Sequence, residues 1–464
     1  MSHSDSLHDW DPATELLATS VIGKTVERLK LQKDPTWGAA NATELNTLLE
    51  DSVTPNGIGG IEALALYAEK ALPACRPIDH PTNFSYIPSA PSNAATMIDL
   101  LVSASAVMGA MWETGAGAIA LENRALRWLA DLVGLPADAA GCFVSGGSAA
   151  NLSALVSARQ AFRENNPDMV EERLVILISE ETHACVGASA RIMDCDLIAV
   201  PSNAQAQMTV EALTATLEQL PQAKQDRVFA LVTTLGTTNA GAIDHIPELC
   251  TFARERGWWT HIDGAYGGAS LAVPEIRDYV GDLSMVDSFC VDPHKWLFVP
   301  YDSAALLYRD PSVAARAHAQ HGAYLDAVDR SQFNPSDLAF HLSRRTRGVS
   351  LWFNLATYGT DAMTAAVRYS IDQAKAFAER VKASPKLELL MPPELSVVMF
   401  TVNGWTSADY DAWSKQHSDA GEYLVIPTTW RDTPCLRVAL MHPKTEFSTL
   451  EALLADLKTS TACG

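Results

Sequence analysis

Apolar positions in residues 11–72 recur at helical spacing, in ATELLATSVIGKTVERL and again in GGIEALALYAEKAL, with Pro and Gly breaks between. Alone, such helices would lack a core, so they are expected to clasp the main body or a second subunit. The segment HPTNFSYIPSAPSN (80–93) abandons any period and is rich in Pro, Ser and aromatics. It reads as a loop, either a plain connector or a segment lining a site. Helical spacing returns from 94 to about 135, ending at GLP.

Beyond that point the pattern changes to short apolar runs separated by helical stretches. GCFV, LVILIS, DLIAV, VFALVTT and GWWTHID each read as a strand. Helices are expected to open near Ala149, to cover roughly 209–219, and to contain PELCTFARERG. Strands apolar on both faces and alternating with helices predict an α/β protein whose mainly parallel sheet is covered on both sides. In such sheets ligands bind at the carboxyl ends of the strands. SGGSAAN, His183, the Thr237–Thr238 pair and Asp263 all fall there. WLFVPYDSAALLYRD is expected to form two antiparallel strands. A helix starting in LSRRTRGVSLWFNLATYG then leads to a smaller α/β unit with strands at 396–403, 423–427 and 435–441 and a final helix. The expected division is an N-terminal helical segment (1–92), a large domain (93–352) and a small C-terminal domain (353–464).

Composition narrows the class. The 464 residues are 48% hydrophobic and 19% charged, the balance of a compact enzyme. A formal net charge of −21 argues against nucleic acid or an anionic membrane surface as partner. Any anionic ligand must be held by local donors. Eight scattered cysteines, with no CxxC or Cys/His spacing, read as reduced thiols and suggest no metal site. The N-terminus is polar and acidic, and no apolar run approaches the roughly 18–20 residues of a membrane span. A cytoplasmic location is expected.

Chemistry concentrates between His261 and Trp296. Asp263 ends one apolar run and Lys295 follows another, 32 positions later. A lysine amine can form a Schiff base with an aldehyde, and an aspartate can keep a pyridine nitrogen protonated. Pyridoxal phosphate needs both. The turn SGGSAAN (145–151) leads from a strand into a helix, where glycines admit a phosphate to free N–H groups. Plain structural readings stand beside these. The turn can be only a strand-to-helix connection, Asp263 a helix cap, Lys295 a solvated surface lysine and His183 a core histidine. A lysine at an apolar strand end can also be desolvated and lose its proton.

Taken together, HPTNFSYIPS, SGGSAANLSAL, the His183 segment, LGTTNAGAID, HIDGAYGG, VDPHKWLFVPYDSA and LSRRTRG resemble the group II pyridoxal-phosphate-dependent amino-acid decarboxylases, the family of aromatic-L-amino-acid, glutamate and histidine decarboxylases. The match spans roughly residues 80–352, and WRDTPCLRVAL extends it. The resemblance implies the aspartate-aminotransferase fold, with a seven-stranded sheet, and a homodimer whose N-terminal helices clasp the partner. It makes Lys295 the Schiff-base lysine and Asp263 the partner of the pyridine nitrogen, with Ala265 and His183 on opposite ring faces. Gly147, Ser148, Thr238 and His294 would surround the phosphate, and Tyr86 and Pro88 would line the substrate pocket. The implied reaction is decarboxylation of an L-amino acid, aromatic or of related hydrophobic character, to an amine.

Two departures from the family pattern bear on the product and the pocket. Aromatic-amino-acid decarboxylases carry a tyrosine about ten residues before the Arg-Arg pair, whereas Asn334 and Pro335 precede Arg344–Arg345 here. Tyr324 lies further upstream, and Phe333 sits near the expected place. Some relatives with phenylalanine there make aldehydes, so oxidative decarboxylation–deamination is the alternative, followed by another pyridoxal-phosphate lyase or aminotransferase reaction. Tyr324, His183 and His341 are candidate acids. In MGAMWETGAGAIALE, Ala110 replaces a large aromatic residue and Glu113 is unusual. Arg437 is a candidate for reading a substrate carboxylate, with a structural role as its alternative.

Overall fold

The computed structural model describes residues 8–30, 37, 40–320 and 331–460. Seven strands form the main sheet: β1 (Ala140–Val144), β2 (Val175–Ser179), β3 (Asp196–Val200), β4 (Val228–Thr234), β5 (Trp259–Asp263), β6 (Ser288–Val291) and β7 (Ala304–Tyr308). Their order is β1-β7-β6-β5-β4-β2-β3. Neighbours from β3 through β6 run parallel, and β7 lies antiparallel to both β1 and β6. The sequence reason is direct. Every residue of β2, β4, β6 and β7 is buried, which demands helices on both faces. Edge strand β3 instead alternates between half-buried and exposed positions before ending buried.

Register brings the chemistry to one end. Thr234 pairs with Asp263, and Asp263 with Cys290, so β4, β5 and β6 finish level at their carboxyl ends. The helix Gly147–Asn165, which follows β1, packs beneath β4, β5, β6 and β7 and points its amino end at the same place.

The expected pair of strands after Lys295 is a single strand, β7. Pro293–Trp296 is instead one helical turn, started by proline, with Lys295 N donating to Asp292 O at 2.9 Å. Phe298 then takes a left-handed φ of 56°, which breaks any extended pairing before Ala304.

The second sheet is antiparallel, β10-β11-β9-β8, built from β8 (Leu387–Leu389), β9 (Val397–Val402), β10 (Pro427–Trp430) and β11 (Thr433–Ala439). The strand expected at 423–427 is shifted to 427–430. Arg431 and Asp432, at φ 46° and 62°, form the two-residue hairpin turn and so fix Trp430 opposite Thr433. Leu424 instead bonds across to the 80–93 loop, giving its carbonyl to Phe84 N at 2.9 Å and its amide to Thr82 O at 3.1 Å. Phe377, Phe400, Tyr410, Trp413, Leu450 and Leu457 belong to the core that ties this sheet to its helices. The long helix Val349–Lys382 joins the two sheets and kinks at Gly359, where φ is 81°.

Helices Pro12–Lys30, Ala42–Leu49 and Gly60–Leu66 contain no buried residue. Among the described residues no helix is long and apolar enough to cross a membrane.

Candidate active site

A cavity of about 240 Å³ opens at the level ends of β4, β5 and β6. Gly146, Gly147 and Ser148 line it from the helix amino end, His183 and Cys185 from the start of the helix Ala184–Ile192, and Thr238 from the turn after β4. Asp263 and Ala265 enter from the end of β5, and Asp292, His294 and Lys295 from the turn after β6.

At Gly147 the close approach is literal. A Cβ there would stand 3.0 Å from the Ala265 Cβ and 3.2 Å from an Asp292 oxygen. Only glycine lets this helix start so near the floor of the cavity, where a helix amino end can receive an anion.

Asp263 is buried and held on both oxygens. Ala265 N donates to Oδ1 at 3.0 Å and Asn151 Nδ2 to Oδ2 at 2.9 Å. Asn151 Oδ1 faces His261 Nε2 at 2.7 Å, and His261 Nδ1 faces Ser288 Oγ at 2.8 Å. Burial pulls the His261 imidazole down to about 4, against the opposing pull of Asp263, so it is neutral here.

Lys295 Nζ lies 3.0 Å from Asp292 Oδ2. Burial acts to lower the amine's pKa, but Asp292 and then Asp263 outweigh it, and the net shift is upward. The sequence-based idea of a lysine deprotonated by desolvation is therefore corrected: two carboxylates face it, and it is an ammonium in this state. Asp292 Oδ2 also lies 3.6 Å from His294 Nε2, and His294 is lowered, chiefly by burial. Burial pushes the Cys185 thiol up to about 11 and Cys290 well above its ordinary range, so neither thiol is a nucleophile here.

These groups suit pyridoxal phosphate: an anion-binding helix start, a buried carboxylate for a ring nitrogen, a lysine within the same cavity and an exposed imidazole at its mouth. The pyridoxal-dependent decarboxylase conserved domain matches residues 62–403. The chain belongs to the pyridoxal-dependent decarboxylase family. An aromatic-L-amino-acid decarboxylase of Drosophila lebanonensis is 31% identical over 375 residues, covering 77% of this chain and 92% of that protein. A phenylacetaldehyde synthase of Petunia hybrida is 30% identical, covering 80% and 76%. The structure of Oryza sativa TDC with PLP and tryptamine superposes with a TM-score of 0.89 at 22% identity, covering 97% of this chain and 98% of that one, which speaks for the fold. This decarboxylase-family chain is thus a pyridoxal-phosphate-dependent enzyme.

Gly147, Ser148, His183, Thr238, Asp263, Ala265, His294 and Lys295 all line the one cavity. Thr237 does not; its hydroxyl caps the turn by accepting from Ala242 N at 3.1 Å. Tyr86, Pro88, Ala110 and Arg437 are not brought to the cavity wall within this chain. Arg437 spends its guanidinium on backbone carbonyls, donating to Asn239 O at 3.0 Å, to Tyr86 O at 2.6 Å and to Thr238 O. It ties the aromatic loop to the Thr238 turn, which is the structural alternative. Ala110 is fully buried, and its carbonyl accepts from Ser336 N at 3.0 Å. Tyr324 lies outside the described residues.

Sequence reasoning passed over Asn151, His261 and Asp292. Each had a signal. Asn151 stands one helical turn after Gly147, His261 two residues before Asp263 on the same strand face, and Asp292 one helical turn before Lys295.

Proposed function

We propose that this chain decarboxylates an L-amino acid with an aromatic or related hydrophobic side chain, releasing an amine and carbon dioxide. What supports the reading is the gathering of Lys295, Asp263 and His183 around one cavity, together with a relative named as an aromatic-L-amino-acid decarboxylase. When bound, the cofactor supplies an aldehyde carbon that captures amino groups and a protonated ring that draws off the electron pair left by carbon dioxide. In this reading Gly147, Ser148, Thr238 and His294 hold the phosphate. Asp263, steadied by Asn151 and Ala265, holds the proton on the ring nitrogen. His183 and Ala265 enclose the ring, and Lys295 holds the cofactor covalently between turnovers.

His183 is the described candidate for delivering a proton to the substrate Cα. Its Nδ1 accepts from Cys185 N at 3.2 Å, which leaves Nε2 to carry the proton. His341 is left out, because it does not line the cavity and is pulled down to about 4 by burial and then by Arg347 and Arg344.

A second reading, oxidative decarboxylation–deamination, draws on Phe333 near the place of the absent tyrosine and on the aldehyde synthase among the relatives. It consumes oxygen and water and yields aldehyde, carbon dioxide, ammonia and hydrogen peroxide. Supplying single amino acids in oxygenated buffer separates the two. Carbon dioxide with an amine and no peroxide upholds the first; peroxide with aldehyde replaces it by the second. No carbon dioxide from any amino acid would reject both.

The same reading includes a homodimer in the cytoplasm, with segment 1–92 clasping a second copy, 93–352 carrying the cofactor and 353–464 as the small domain. Trp10, Leu16, Ile22 and Tyr67 are exposed on helices, or beside helices, that bury nothing in one chain, and the seven described cysteines are free thiols. A monomer in analytical ultracentrifugation would end the dimer claim.

A further inference from the structure

We propose that Asp292 couples cofactor binding to protonation: the phosphate end is accepted together with one proton, held between Asp292 Oδ1 and a phosphate oxygen. The inference rests on the placement of the phosphate at the Gly147–Ser148 turn argued above.

The Asp292 side chain is only 3% exposed. Its Oδ2 is engaged by Lys295 Nζ at 3.0 Å, while its Oδ1 is buried with no hydrogen-bond partner. Both oxygens lie 3.2–3.3 Å from where a Cβ on Gly147 would stand, so the carboxylate rests against the first residue of the helix whose amino end would take the phosphate. The turn that carries it is fixed by Asp292 N donating to Ala265 O at 3.0 Å, and the carboxylate itself is held by Lys295 on Oδ2.

Charge then forces a choice. Among the described residues no arginine lines the cavity; Lys295 is its one permanent cation, already matched by Asp292 and Asp263. A phosphate dianion placed beside an ionised Asp292 would meet like charge at a carboxylate that water scarcely reaches. One shared proton removes one negative charge and gives the orphaned oxygen a partner. It comes from solvent, so binding takes up one proton whichever of the two groups carries it.

The groups facing Asp292 are Lys295 and His294 on its own turn, Cys290 on β6, Tyr301 in the loop that follows, and Asp263 on β5. Lys295, Cys290 and Tyr301 are shifted upward and His294 downward, so none of these four changes protonation between pH 7.5 and 9 in the free protein. A free phosphate monoester is already a dianion in that range, its second pKa being about 6.

The test is calorimetric titration of the cofactor-free full-length chain with pyridoxine 5′-phosphate, whose alcohol cannot bond to Lys295, in buffers of different ionisation enthalpy. The expected result is that the phosphate ester takes up about one proton more than pyridoxine does, any proton gained by the ring nitrogen at Asp263 being common to both, and that its Kd weakens about tenfold more per pH unit from 7.5 to 9 than that of pyridoxine. Asp292→Asn, nearly the same shape, should lose both the excess uptake and the extra pH slope. Phosphate-dependent binding with no excess uptake overturns the proposal while leaving the site reading intact. Excess uptake that persists in Asp292→Asn also overturns it and moves the proton to His294. Should that variant not fold, the two ligands on the natural chain still decide, since equal uptake with both overturns the claim. Failure to bind pyridoxine 5′-phosphate at all would remove the phosphate from this turn and the inference with it.

Discussion

Asn151 donates its side-chain amide to Asp263 Oδ2 across 2.9 Å and turns its carbonyl oxygen to His261 Nε2 at 2.7 Å. That orientation fixes the direction of a whole file of hydrogen bonds. His261 must carry its proton on Nε2, so its Nδ1 accepts from the Ser288 hydroxyl at 2.8 Å, and Ser288 Oγ accepts from the Trp259 indole at 2.8 Å. Every donor points toward Asp263, which stands at the end as the acceptor.

Cutting the file at Asn151 should therefore cost more than one hydrogen bond. Asn151→Ala leaves the His261 Nε2–H and an Asp263 lone pair unpartnered, and each buried orphan costs about 1–3 kcal/mol. Denaturant unfolding should show a loss of about 2–6 kcal/mol on that basis. Asn151→Asp sets a second carboxylate against Asp263 and should weaken pyridoxal phosphate binding further than Asn151→Ala does. Equal cofactor affinity in both variants would contradict the file.

The same burial makes an acid-side prediction. His261 has a pKa of about 4 in the fold and an ordinary value near 6.5 when unfolded. As pH falls through 6.5 the unfolded chain takes up a proton that the native state refuses. The stability tied to neutral His261 is thus whole above about 6.5 and is lost as pH falls toward 4. Relative to His261→Gln, the natural protein should lose about 2–3 kcal/mol between pH 7 and pH 4.5. A gap that stays constant between those pH values would mean that His261 accepts a proton inside the fold.

Glu122 and Arg344 form a second buried relationship, away from the cavity. Arg344 Nη2 meets both Glu122 oxygens at 2.7 Å, with both side chains 1–2% exposed, and Gly348 N donates to Glu122 Oε1 at 2.8 Å. The pair pins the helix Trp112–Val133 to the segment that opens the long helix. Glu122→Ala leaves a buried guanidinium without its carboxylate, and removing one partner of such a pair costs about 3–5 kcal/mol. The chemical unfolding midpoint should fall accordingly, while replacing both residues with apolar ones should recover much of the loss.

Much of this was legible in the chain because the signals were local. Largely apolar runs such as VFALVTT announce strands buried on both faces, and Gly147, Asp263 and Lys295 each sit where an element begins or ends. The less legible parts depended on partners distant in sequence. Asn151 acquires its role from Asp263 and His261, over a hundred residues away, and Arg437 is drawn from the substrate by carbonyls at Tyr86, Thr238 and Asn239. The strand wrongly expected after Lys295 is an apolar run, WLFV, that packs as a turn because Phe298 turns left-handed, a conformation that hydrophobic pattern does not encode. The sequence shows the apolar neighbours that desolvate Lys295 and so allows for loss of its proton, whereas the electrostatic balance set by Asp292 and Asp263, which keeps the proton, emerges only in space.

The assignment of Lys295 is tested most directly by borohydride reduction of the full-length protein carrying pyridoxal phosphate, followed by digestion and peptide mass mapping. The predicted result is a single reduced pyridoxal phosphate adduct, on Lys295. An unmodified Lys295, with the adduct on another lysine or on none, would contradict it.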